Sequence, residues 1–147
     1  MVKKPNKIPL SIIQTANESI VWYNHIDRIR LIREGLPYSA LEALSIKVNI
    51  PIKHFLSFLQ IPQTTYNKRK RESVKLSGRD SEIILVLNEL IDYGLDVFNG
   101  ESEKFTSWLD KTNLSLGGVT PKSLFDSLTG IQEVRKCLDR IEHGNFA

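Results

Sequence analysis

The densest chemistry in this 147-residue chain lies near its middle, in Gln63-Thr64-Thr65-Tyr66-Asn67-Lys68-Arg69-Lys70-Arg71. The carboxamides of Gln63 and Asn67 can pair bidentately with an adenine edge. The hydroxyls or methyls of Thr64 and Thr65 suit phosphates or a thymine methyl. Lys68, Arg69, Lys70 and Arg71 would neutralise phosphates and make affinity salt-dependent, with one arginine also able to reach guanine. The preceding segment, Pro51 to Gln60, places Ile52, Phe55, Leu56 and Leu59 at helical spacing, and Ile61-Pro62 makes a sharp turn. Two short helices joined by a tight turn, the second polar and basic, form a helix-turn-helix whose second helix reads the major groove. Tyr66 is expected to point inward against Leu56 and Leu59. One departure weakens the pattern: Gln60 stands where glycine is common, and Pro62 where a capping Ser or Thr is usual. DNA binding weaker than in better-formed relatives is the expected consequence.

No other set of side chains spells out a reaction. His25 and His54 lie far in sequence from other plausible metal ligands, and the single cysteine, Cys137, completes no site. There is no Ser/His or Cys/His constellation, and the carboxylates fall on solvated helix faces. Gly117-Gly118 lacks the preceding strand and Lys-Ser/Thr ending of a phosphate loop, so positive φ is the expected use of these glycines. The expectations are no metal, no cofactor and no enzymatic activity.

Charge is distributed unevenly. Residues 1–79 hold fourteen Lys/Arg against five Asp/Glu, a balance of +9. Residues 80–147 hold six against twelve, a balance of −6, which together give the chain's +3. The basic half suits a polyanion, and the acidic half implies a second, different partner. With 41% hydrophobic and 25% charged residues the chain is globular in composition. One cysteine excludes an internal disulfide framework and suits a reducing compartment. No apolar run approaches the ~18 residues of a membrane span, and the basic start has no signal-peptide apolar core. A cytoplasmic protein without membrane attachment is expected.

The elements that would position this chemistry read as helices throughout. Met1 to Asn17 has no clear periodicity and is expected to be an irregular arm, with Val21 to Arg33 a helix after it. Ser39-Ala40-Leu41-Glu42 reads as a capping box, with Leu41, Leu44 and Val48 buried behind it. Ser81 to Phe98 is a helix apolar on every face through Ile83-Ile84-Leu85-Val86-Leu87. Such a helix needs cover on every face, so Ile83, Ile84, Leu87, Leu90 and Ile91 are expected to form a homodimer interface, which also suits paired half-sites. Glu101 to Asn113 is amphipathic, with Phe105, Trp108 and Leu109 inward. Pro121 with Thr120 as its cap opens a short helix that Gly130 would close. A final helix runs from about Ile131 to His143, burying Ile131, Val134, Leu138 and Ile141.

The last forty residues carry a recognisable pattern: Trp108-Leu109, Leu116-Gly117-Gly118, Pro121-x-x-Leu124-Phe125, then Arg140-Ile141-Glu142-x-Gly144. This resembles the C-terminal domain of the Xre/MbcA/ParS-type antitoxins. The resemblance implies a RES-domain, NAD-degrading toxin as partner, docked on this region with its active site covered. It further implies toxin-facing roles for Arg140, Glu142, His143, Gly144, Asn145, Phe146 and Ala147. Phe146 would give apolar contact, and the Ala147 carboxylate would mimic anionic groups of the substrate. The expected architecture is all-α. Residues 1–79 form an arm and a DNA-binding helix-turn-helix, residues 80–100 a connecting and dimerising helix, and residues 101–147 a toxin-binding domain. The expected function is antitoxin and autorepressor at operator DNA, as a homodimer that builds a larger hetero-oligomer with toxin. A plain helix-turn-helix regulator without a toxin partner is the alternative, and it would leave residues 144–147 dispensable.

Overall fold

The computed structural model describes residues 7–144. Helices dominate, as the periodicities predict, but the chain opens on a β-hairpin in place of an irregular arm. Strand β1 (Ser11–Gln14) pairs antiparallel with β2 (Ser19–Trp22), Ile13 opposite Ile20. No Asn-Gly turn closes it. Thr15 closes it instead, its hydroxyl oxygen accepting from the Asn17 and Glu18 N–H groups while its own N–H donates to Glu18 O at 2.9 Å. The alternation is hidden in the sequence because polar Ser11 points inward and apolar Ile12 outward.

Ser11 is buried at no loss because it is fully bonded. It donates to Asp92 Oδ2 at 2.6 Å and accepts from Asn88 Nδ2 at 2.5 Å. Asn88, itself wholly buried, also donates to Ile12 O and accepts from Lys47 Nζ, which pairs with Asp92 at 2.5 Å. A buried polar network this complete fixes one register for the hairpin.

Helix α1 (His25–Glu34) starts later than the sequence suggests, because Val21 and Trp22 belong to β2. Asn24 caps α1 by accepting from Asp27 N–H at 2.8 Å. In α2 (Ser39–Val48) Leu41, Leu44 and Val48 are buried as expected, but the capping box is absent: Tyr38 holds the cap position without a side-chain bond, and Glu42 is engaged elsewhere. Helices α3 (Ile52–Leu59) and α4 (Gln63–Arg71) follow as read.

Helix α5 (Gly78–Val97) is the axis of the fold. It packs against α1, α2 and β1 on one side, and on the other against α6 (Ser102–Leu109) and the closing helix α7 (Leu128–Glu142). Here the residues expected to form the homodimer interface are found elsewhere, in the core. Ile83, Ile84, Leu87, Leu90 and Ile91 are at most 3% exposed within one chain. Their cover is intramolecular, supplied by elements from both ends of the sequence, and they have no surface left for a second subunit.

Helix α6 stops at Leu109, short of Asn113. Pro121–Leu124 is a single 3₁₀ turn with Thr120 as its cap. Gly130 does not end a helix. It lies inside α7, where Ser127 caps by accepting from the Gly130 N–H at 3.0 Å. Its role is close approach: a Cβ there would sit 2.0 Å from the Leu124 carbonyl oxygen. Ile131, Val134 and Leu138 are buried, while Ile141 is only half-buried.

Candidate functional site

The turn between α3 and α4 accommodates both of its unusual residues. Gln60 adopts the left-handed conformation (φ 56°, ψ 41°) that glycine usually supplies. Ile61 N–H then bonds Leu56 O at 2.9 Å and Gln60 N–H bonds Ser57 O at 3.1 Å, closing α3. Pro62, with φ −62°, enters α4 without a side-chain cap, and its carbonyl accepts from Tyr66 N–H at 3.0 Å.

On α4 the nine residues divide into two sets. At 3.6 residues per turn, Gln63, Thr64, Asn67, Lys68 and Arg71 share an arc of roughly 140°, and all five are exposed. Thr65 is half-buried at its edge. Lys68 and Arg71 have no ion-pair or hydrogen-bond partner among the described residues. Gln63 Nε2 donates to Asn67 Oδ1 at 3.1 Å, holding the two carboxamides side by side. This is the surface that could enter a groove.

Arg69 lies opposite that arc, Tyr66 to one side of the opposite face and Lys70 just outside the arc beside Gln63, and all three tie α4 to α2. Tyr66 is buried with its ring 6.0 Å from that of Tyr38, and its hydroxyl donates to Glu42 Oε1 at 2.8 Å. Lys70 also pairs with Glu42, and Arg69 Nη1 donates to the Tyr38 hydroxyl at 3.0 Å. The Lys70 bond, helped by that from Tyr66, lowers the Glu42 carboxyl against the opposing effect of burial. Burial, and then the adjacent carboxylate, pushes the Tyr66 phenol up beyond its ordinary range. Two of the four consecutive cations therefore anchor the helix and two are free. Tyr38 and Glu42 hold α4 in place, a part that reading for DNA contacts missed. Their only sequence signal is an i, i+4 spacing between the cap of α2 and its first turn.

At the other end, Arg140 and Glu142 do not form one cluster, since residues two apart on a helix point roughly 200° apart. Arg140 Nη2 lies 3.0 Å from Cys137 Sγ, which is 3.7 Å from Ser115 Oγ. Arg140 thus borders the Asn113–Val119 loop, in which Gly117 and Gly118 adopt positive φ as read. Glu142 instead lines a cleft of about 380 Å³ with Leu10, Asp92, Asp96, Tyr93 and Arg135. Arg135 stacks over Tyr93 with 4.4 Å to the ring centroid. The Tyr93 hydroxyl donates to Asp139 at 2.6 Å, a bond that, with some burial, pushes its pKa up to about 12. His143 is exposed at the end of α7, and Gly144 follows at φ 73°. Asn145, Phe146 and Ala147 lie outside the described residues. Among those described, no three His, Cys, Asp or Glu side chains converge as a metal site would require. No helix of the described residues is long and apolar enough to cross a membrane.

Comparison with known proteins assigns both ends. Residues 27–87 match the family model described as the antitoxin Xre-like helix-turn-helix domain. Residues 94–144 match the antitoxin Xre/MbcA/ParS C-terminal toxin-binding domain. An "Antitoxin Xre" of Photorhabdus laumondii is 28% identical over 114 residues, covering 78% of this chain and 77% of its own. A protein named "Prs ADP-ribosylating antitoxin" from Sphingobium sp. is 32% identical over 130 residues, covering 83% and 82% respectively. An "Antitoxin Xre" of Yersinia enterocolitica is 27% identical over 116 residues, covering 79% and 78%.

Proposed function

The chain belongs to the Xre/MbcA/ParS-type antitoxins, and on that premise we propose that it neutralises a RES-domain, NAD-degrading toxin by covering its active site. In the same reading it represses its own operator through α4. The observation that carries the proposal is the division of labour along the chain. A basic helix-turn-helix with an outward arc of Gln63, Thr64, Asn67, Lys68 and Arg71 stands at one end. Residues 94–144, matched to toxin binding, follow it on the C-terminal side.

The toxin meets the exposed end of α7, where Arg140, Glu142, His143 and Gly144 precede Asn145-Phe146-Ala147. Because Arg140 and Glu142 point to different sides, the toxin has to straddle α7 to meet both. The name of the Sphingobium relative ties that protein to ADP-ribosylation. NAD hydrolysis and ADP-ribosyl transfer both break the nicotinamide–ribose bond and differ in whether water or another acceptor receives ADP-ribose, so transfer is the second reading of the partner. A homodimer on a two-fold operator remains part of the proposal, with its contact outside the buried α5 residues. Toxin docking that changes how dimers sit on DNA would couple the two ends.

The test is nicotinamide release from NAD by the protein encoded beside this one, with and without the chain added. Suppressed release supports the reading, and loss of suppression on deleting residues 144–147 supports active-site cover. Undiminished release would leave only the DNA-binding regulator. Label from NAD appearing on a protein would select transfer over hydrolysis.

A further inference from the structure

The loop joining α6 to the Pro121 turn spends a full set of hydrogen bonds on holding one leucine in water. Asn113 N–H donates to Val119 O at 3.0 Å, Gly118 N–H to Asn113 O at 2.9 Å, and Gly117 N–H to Leu114 O at 3.1 Å. Asn113 Oδ1 accepts from the Ser115 N–H at 2.9 Å and the Ser115 hydroxyl at 2.6 Å. At the tip stands Leu114, 94% exposed, the most exposed large apolar side chain among the described residues. Val119, 39% exposed, lies at the closing bridge.

Single apolar side chains on a surface are ordinary. Three things set this one apart. The loop is ordered by its own bonds, so its leucine would dock without a further ordering cost. Through Ser115 and Cys137 it abuts the side of α7 that carries Arg140. It also falls within residues 94–144, the part matched to toxin binding.

We infer that Leu114, presented by the Asn113–Val119 loop beside Arg140, is an apolar anchor for the toxin. The inference rests on the antitoxin reading and specifies its contact: an apolar pocket on the toxin, with an acceptor at its rim for the Arg140 guanidinium. Glu142, in the cleft against α5, lies off this face. The Leu116-Gly117-Gly118 motif gains a purpose, since its glycines close the loop that displays the anchor.

The test measures the affinity of the purified neighbouring toxin for the full chain and for Leu114→Ala, Leu114→Asp and Ile46→Asp. Ile46, 82% exposed on α2, is the control. Filling a pocket with leucine predicts a loss of about tenfold or more for Leu114→Ala, and a larger one for Leu114→Asp. Ile46→Asp and the melting temperatures should be unchanged, because Leu114 gives up no internal contact. Wild-type binding with Leu114→Asp within about twofold of it would overturn the anchor and leave the antitoxin reading standing. Failure of the wild-type chain to bind would overturn both. A wild-type dimer that Leu114→Asp dissolves in sedimentation, without toxin, would assign the loop to self-association and also overturn the anchor.

Discussion

Neutralising Lys68 and Arg71 together, as Lys68→Gln with Arg71→Gln, should flatten the salt dependence of DNA binding far more than neutralising their neighbours Arg69 and Lys70. All four are consecutive cations, so composition alone predicts equal effects. The structure separates them. Lys68 and Arg71 lie on the exposed arc without partners among the described residues, whereas Arg69 is bonded to Tyr38 and Lys70 to Glu42. Each phosphate contact contributes about 0.9 to the slope of log affinity against log salt, so losing two lowers the slope by about 1.8 per bound chain. Between about 50 and 200 mM salt, wild type should therefore lose about twelvefold more affinity per chain than the variant. Arg69→Gln with Lys70→Gln should remove less than half of that slope, its main effect being a looser α4. The assay is fluorescence anisotropy of a labelled fragment from upstream of the gene, across that salt range, with circular dichroism to confirm helix content. Equal slope losses in the two doubles would refute the division between free and anchoring cations. An unchanged slope in the Lys68/Arg71 double would refute α4 as the surface facing phosphates.

Three further outcomes follow from packing and titration. Leu87→Ala should destabilise the protein by about 2–5 kcal/mol in denaturant unfolding, with a midpoint shift independent of protein concentration, since Leu87 is covered within one chain. A concentration-dependent shift would restore a subunit contact. Gly130→Ala should cost about 1–3 kcal/mol, although alanine is the better helix former by about 1 kcal/mol, because its Cβ would lie 2.0 Å from Leu124 O; a rise in melting temperature would count against that close approach. The folded state lowers the Glu42 carboxyl below 4.5, chiefly through Lys70. Its stabilising contribution is therefore fully present above that value and lost as pH falls through the lowered one. Glu42→Gln should be less stable than wild type near neutrality, and the gap should close in acid; a gap that persists at pH about 2 would show that Glu42 acts through packing, not charge.

The sequence by itself determined the elements whose cause is local. Helical spacing in Pro51–Gln60, the Ile61-Pro62 turn and the polar run after it specify the helix-turn-helix, because periodicity and turn chemistry act over a few residues. The Thr120-Pro121 start, the positive φ of Gly117 and Gly118, and the buried stripe of α7 were legible for the same reason. Tertiary structure decided whatever depends on residues far apart in the chain. The hairpin was hidden because Ser11 is buried by partners 77 and 81 residues away, Asn88 and Asp92. Ile83 to Ile91 looked like an interface, because a helix apolar all round states only that it must be covered. The cover turned out to be elements from both ends of the same chain. Gly130 looked like a terminator because glycine ends helices more often than it admits a neighbouring carbonyl. Lys68, Arg69, Lys70 and Arg71 are alike as letters, and only their directions around α4, fixed by burying Tyr66 against Tyr38 and Glu42, separate the cations free to meet a polyanion from those that hold the helix in place.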